Sequence, residues 1–157
     1  MFPHRVNETL AQFDAAQILA ATSILCGEQL GVSGISRTTF ALRYSDDAVI
    51  KIENPASGVF QNVIEWRAWQ YIQHDERLAQ FFAPCLEISQ CGTVLIMART
   101  APLPDDLDEI ELPEIIGDYK KMNLGMYKGN PVMHDYGLLN PIHLHRKIRI
   151  NKVKLDY

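Results

Sequence analysis

Long apolar runs are missing from this chain. No stretch approaches the roughly 18 consecutive residues of a membrane-spanning helix, and the longest candidates are broken by charge, so no membrane association is expected. A secretory leader is missing too. Met1-Phe2-Pro3-His4-Arg5 lacks the charged-then-apolar plan of such signals, and a cytoplasmic protein is expected. Cysteine is scarce: Cys26, Cys85 and Cys91 are odd in number and share no repeated spacing, which argues against a disulfide framework and against a zinc site. Cys85 and Cys91 flank a segment able to form a hairpin and bring them close, but inert, reduced thiols are the expectation. A basic surplus is absent as well. With a formal net charge of −4 and only a short basic tail, charge argues against nucleic-acid binding.

What is present is an ordinary globular composition. The hydrophobic fraction of 47% supports a substantial core, and 157 residues make one domain or two small lobes sharing a cleft. Charge is unevenly divided. Residues 105–114 carry Asp105, Asp106, Asp108, Glu109, Glu111 and Glu114 with no base, while Arg146, Lys147, Arg149, Lys152 and Lys154 crowd the end. The acidic loop 105–114 and the basic tail 143–154 are either contact surfaces for a host or partner protein or a solvated loop and tail.

In order, residues 1–13 read as a loosely held lead-in. Residues 14–26 form a helix with Asp14 as N-cap and Gly27 as stop. The β-branched and aromatic residues after Ser36 make a strand to Leu42. Ser45-Asp46-Asp47 then turns the chain into a strongly apolar strand over residues 48–52. Residues 59–73 have the broad apolar face of a helix, with Glu65 near its middle. Residues 78–82 form a short turn or helix, and residues 84–88 and 93–97 are two more strands. A Pro- and acid-rich linker covers residues 101–108.

Four features carry chemistry. Gly31-x-x-Gly34, with Ser33, Ser36 and Arg37, can cradle phosphates on its backbone N–H groups, or be no more than a hairpin turn. Lys51 interrupts an apolar strand, so it either points to solvent or lies buried beside an anion. His143 and His145 stand two apart, but two ligands do not make a metal site. In the stretch 117–140, Asp118 is followed five places later by Asn123, and Asp135 comes twelve after that, in Asp135-Tyr136-Gly137. Tyr127-Lys128-Gly129-Asn130 is a turn signal between them. A hairpin there would bring Asn123 and Asp135 to one end of two paired strands, as oxygen ligands for a magnesium–phosphate complex.

The pattern D-x-x-x-x-N…D-Y-G, preceded by a strand lysine and a helix glutamate, resembles the protein-kinase-like fold over about two thirds of the chain. The resemblance implies an α+β protein: a kinase-like small lobe of antiparallel sheet with a packed helix, plus a much reduced large lobe. Residues 1–100 would hold the N-terminal helix and the small lobe, and residues 101–157 the linker, the catalytic-loop-like hairpin and the basic tail. It implies ATP and Mg²⁺ as cofactors. Lys51 would contact phosphates and Glu65 would hold Lys51. Asp118 would be the catalytic carboxylate, and Asn123 and Asp135 would bind magnesium. Gly31, Ser33, Gly34, Ser36 and Arg37 would cover the phosphates, and Met97 would guard the adenine pocket beside a hinge at residues 97–100.

Ile116-Gly117 stand where the family has His-Arg before the catalytic aspartate, and Tyr136 replaces the common Phe. Only residues 112–117 remain for the helices that normally precede this segment, and twenty residues follow Gly137, too few for a substrate-docking platform. Two expectations follow. One is a minimal kinase-like protein that binds ATP-Mg and transfers a phosphoryl group to a small or flexible acceptor. The other is an inactive kinase-fold protein that binds and inhibits a host or partner protein. Small single-lobe proteins of this look suggest a phage or mobile-element gene.

Overall fold

The computed structural model describes residues 15–31, 34, 36–139, 144 and 148–156. The architecture is α+β and, among the described residues, the strands pair with one another antiparallel. A five-stranded sheet is built from β1 (Cys26–Gln29), β2 (Arg37–Leu42), β3 (Ala48–Glu53), β4 (Cys85–Ile88) and β5 (Val94–Ala98), in the order β1-β2-β3-β5-β4. The break in order arises between β3 and β4, where helix α2 (Gln61–Ile72) and the single turn α3 (Glu76–Ala79) intervene.

Strand β3 is buried along its whole length. Alternation divides it: Ile50 and Ile52 join Ile18 and Cys26 in a small cluster under helix α1 (Ala15–Thr22), while Val49 belongs to the main core. Lys51 and Glu53 share the face of Val49, so the lysine is not a solvent-facing strand residue; only 4% of it is exposed. Helix α2 packs on β3, β4 and β5 through Asn62, Glu65, Ala68 and Ile72, a stripe that is polar in its first half and apolar in its second. Its first N–H groups are satisfied from outside the helix. The Glu53 carboxylate accepts from the Gln61 and Asn62 N–H, both at 2.9 Å.

Two expectations about the helices are corrected. Helix α1 ends at Thr22, where the Thr22 and Ser23 hydroxyls bond back to the Ile18 and Ala20 carbonyls. Cys26 and Gly27 are strand rather than helix end and helix stop. A Cβ at Gly27 would lie 3.0 Å from the Ala41 carbonyl across the pair, so glycine serves close strand approach here. Asp14, read as the N-cap, lies outside the described residues. Residues 112–117 do not hold a helical remnant either. Strand β6 (Glu109–Pro113) occupies part of them, with Ile110 and Leu112 buried and Glu109 and Glu111 exposed, a period-2 alternation. Its partner is β9 (Ile150–Lys154), with Glu109 opposite Lys154 and Glu111 opposite Lys152.

The expected hairpin forms from β7 (Leu124–Tyr127) and β8 (Asn130–Met133). Its two turn residues, Lys128 at φ 49° and Gly129 at φ 83°, both take the left-handed conformation that a type I′ turn requires. The hairpin is strapped to the sheet at two places. Ala101 and Met126 exchange N–H···O bonds of 2.9 and 2.7 Å, and Met133 does the same with Phe81 and Ala83. Gly125 permits the first contact, since a Cβ there would meet Thr100 and stand 2.8 Å from the Ala101 carbonyl. One hydrophobic cluster therefore runs from Leu95 and Met97 through Phe82 and Tyr136 to Leu112, Leu124 and Leu155. No helix among the described residues is long and apolar enough to cross a membrane.

Candidate functional site

The site begins with Glu65, which α2 carries fully buried under the sheet. A carboxylate without water must find cations and donors within the protein. Three supply them. Lys51 Nζ lies 3.0 Å from Oε2 and 3.3 Å from Oε1, Arg37 Nη2 lies 2.6 Å from Oε1, and the Tyr136 N–H donates to Oε1 at 2.8 Å. The same two cations reach the segment after β8. Lys51 Nζ donates to the His134 carbonyl at 2.5 Å, and Arg37 Nη2 reaches Asp135 Oδ1 at 2.5 Å. Asn62 completes the frame: its Oδ1 accepts from Arg37, and its Nδ2 donates to the Lys51 and Thr93 carbonyls at 3.1 and 3.0 Å.

The electrostatics follow from that packing. Burial alone would raise the Glu65 carboxyl, but Arg37 and then Lys51 outweigh it and hold the acid down at about 2. Arg37 is opposed by its own burial and is nevertheless held charged, by Glu65 before Asp135. Burial and the neighbouring guanidinium pull the Lys51 ammonium down, and Glu65 and Asp135 oppose them. Burial also raises Glu53. Burial and then Lys51 lower the His134 ring below its ordinary value. Its Nε2 donates to the Met122 carbonyl at 2.9 Å, so Nδ1 accepts from the Thr100 hydroxyl at 2.7 Å. That ring ties the segment after β5 to the hairpin.

Two recesses meet at Asn123 and Asp135. A cleft of about 440 Å³ lies between the sheet and the hairpin, walled by Val49, Lys51, Met97, Leu124 and His134 among others. A smaller pocket of about 110 Å³ is lined by Asp118, Asn123, Asp135, Gln61 and apolar neighbours. The hairpin register brings Asn123 and Asp135 together: the Asn123 carbonyl accepts from the His134 and Asp135 N–H at 2.9 and 3.3 Å.

Of the residues singled out from sequence, Gly31, Arg37, Lys51, Met97, Asn123 and Asp135 line the larger cleft. Asp118 lines the smaller pocket, and its carboxylate faces Lys120 at 3.7 Å. Glu65 is behind the cleft wall, reaching the cleft only through Lys51 and Arg37. Ser36 and Gly34 are not among the cleft's lining: the Ser36 hydroxyl turns to Gln61 at 2.6 Å, and the Gly34 N–H goes to the Arg37 carbonyl at 3.0 Å. Ser33, His143 and His145 lie outside the described residues.

Sequence reasoning missed the roles of Glu53 and His134. Glu53 stands two places after Lys51 on the same strand face, so spacing could have flagged it, whereas Asn62, one helical turn before Glu65, is expected from sequence to help order the phosphate loop and instead bonds Arg37 and two strand carbonyls. Cys85 is not poised toward Cys91. Its thiol, raised to about 12 by burial and then Glu65, contacts the Tyr136 hydroxyl at 3.0 Å, and all three cysteines are free.

Among the described residues no three His, Cys, Asp or Glu side chains gather into a metal cage. The acidic and basic stretches meet each other on the β6–β9 ribbon, with Lys152 Nζ 2.5 Å from Glu109. No protein-family model matches the chain, and no curated protein matches it.

Proposed function

We propose that this chain is a minimal kinase-like protein that binds ATP with magnesium in the cleft between the five-stranded sheet and the β7–β8 hairpin, and transfers its terminal phosphoryl group to a small or flexible acceptor. The observation that carries this is the shared setting of Lys51, Asn123 and Asp135 on one cleft, with Glu65 fixing the lysine from behind. The sheet order, with α2 inserted between β3 and β4, agrees with a kinase-like small lobe.

Phosphoryl transfer asks mainly for positioning and charge neutralisation, and the cluster is suited to both. Lys51, pinned by Glu65 and the His134 carbonyl, would meet phosphate oxygens. Met97 and the segment after it would wall the base. Asn123 and Asp135 would hold magnesium, since an amide and a carboxylate side by side border the smaller pocket and phosphate oxygens would complete such a shell. When bound, the ion would neutralise charge building on the phosphates. Asp118, partly exposed, would take the acceptor's hydroxyl proton as its oxygen bonds to the γ-phosphorus and the bond to the β-phosphate oxygen breaks. An inactive, partner-binding protein remains the alternative, but Glu109 and Lys152, from the two surfaces expected to serve it, already engage each other.

A thermal-shift titration with ATP tests binding. At a hundredfold excess over Kd, a ligand specific for the folded state adds about 2.7 kcal/mol, or roughly 5–10 °C for a chain of this size. Lys51→Met should lose most of that shift. Absence of any shift at millimolar ATP, with and without magnesium, rules nucleotide binding out.

A further inference from the structure

Arg37 does not behave as a phosphate-covering loop residue. It starts strand β2, is 7% exposed, and sends its guanidinium along the cleft wall to the carboxylate expected to hold the metal. Asp135, by contrast, keeps 46% of its side chain exposed. Their contact spans 98 positions of chain and is made at Oδ1.

A polyphosphate entering the cleft would meet the negative charge of Asp135. A divalent cation between two such anions would offset their repulsion. Here a cation is already on the carboxylate. Arg37 and Lys51 carry two positive charges against two negative ones on Glu65 and Asp135, so these four groups sum to zero before any metal arrives. Of the two further carboxylates nearby, Glu53 is turned to the N-terminus of α2 and Asp118 lines the adjoining smaller pocket, where Lys120 faces it at 3.7 Å; neither is part of the cleft wall. The guanidinium cannot be titrated away, and Glu65 and Asn62 hold it from behind.

We infer that Arg37 is a built-in counter-cation for Asp135, and that the cleft binds the polyphosphate of a nucleoside di- or triphosphate without needing a divalent metal. This rests on the nucleotide-binding function proposed above and deepens it. Arg37 acts on the ligand by masking the carboxylate, a positioning role, and magnesium adds to transfer more than to binding.

Calorimetric titration of the full chain with ATP, in magnesium and in EDTA, decides the matter. The expected result is a Kd within about threefold in the two buffers. Binding in magnesium that weakens more than tenfold in EDTA overturns the inference while leaving nucleotide binding intact. No binding in either buffer overturns both. Two variants sharpen it. Arg37→Met should make binding metal-dependent by at least tenfold. Because that buried change could unfold the protein, Asp135→Asn supplies a test at a half-exposed position. With the carboxylate removed and Arg37 released toward phosphate, ATP should bind at least threefold tighter in EDTA. A metal-borne mode predicts loss of affinity in magnesium for the same variant, and that outcome overturns the inference.

Discussion

Glutamine in place of Glu65 is expected to lower the free energy of unfolding by about 3–5 kcal/mol, the cost of breaking a buried ion pair by removing one partner. Glu65 is fully buried and answers to Lys51, Arg37 and the Tyr136 N–H at once. A glutamine keeps the volume and one acceptor oxygen but turns an amide N–H₂ toward a buried cation. Both Lys51 and Arg37 would then lack the anion that compensates their burial. In urea the midpoint should fall with little change in slope, and the melting temperature should drop by on the order of 10 °C. Glu76→Gln, on the exposed turn α3, should change stability by no more than about 0.5 kcal/mol. A loss under about 1 kcal/mol for Glu65→Gln would mean that the cluster contributes no net organisation to the fold.

Acid should act on the same residue. The Glu65 carboxyl moves from an ordinary 4.5 to about 2 on folding, so the folded state binds its proton less readily than the unfolded chain does. Stability from this group is complete above pH 4.5 and is lost as pH falls from there toward 2, by about 3 kcal/mol in all. His134 has the same sign and begins earlier. Its ring is lowered from 6.5, so its contribution starts to fade once the pH drops below that value. Glu53 opposes both, because burial raises its carboxyl above 4.5 and the folded state gains relative stability as that group protonates. Urea midpoints measured from pH 7 to pH 2 on the parent and on Glu65→Gln separate these contributions. The difference between the two proteins should shrink steadily below pH 4.5, and a constant difference would contradict the assignment.

The parts of this fold that were legible in the sequence are those governed by local rules. Alternation and turn residues marked β2 through β5, and the Lys128-Gly129 turn signal located the hairpin that joins Asn123 to Asp135. The pairing of the strand lysine with the helix glutamate was legible only through the kinase-like order of motifs, because each residue alone looks like an ordinary exposed charge. What was not legible depends on distance along the chain. Nothing near Arg37 says that its guanidinium will meet Asp135 instead of lining a glycine loop. Strand β6 was hidden because its partner β9 follows some forty residues later, and its outward glutamates look like those of any solvated loop. Gly27 misled for a simpler reason: glycine ends helices and also permits tight strand contact, and only the presence of Ala41 decides between them.

The ribbon of β6 and β9 has a bearing on synthesis. A ribosome finishes the five-stranded sheet at Ala98, yet β6 must wait for Ile150 before its backbone finds a mate. Through that interval Ile110 and Leu112 belong to a nascent strand with an open edge, the kind of surface that recruits chaperones or other nascent chains. A chain cut before Ile150 should accordingly collect in the insoluble fraction, whereas one cut after Leu155 should stay in solution. Strand β9 thus decides whether the nascent edge of β6 survives its own production.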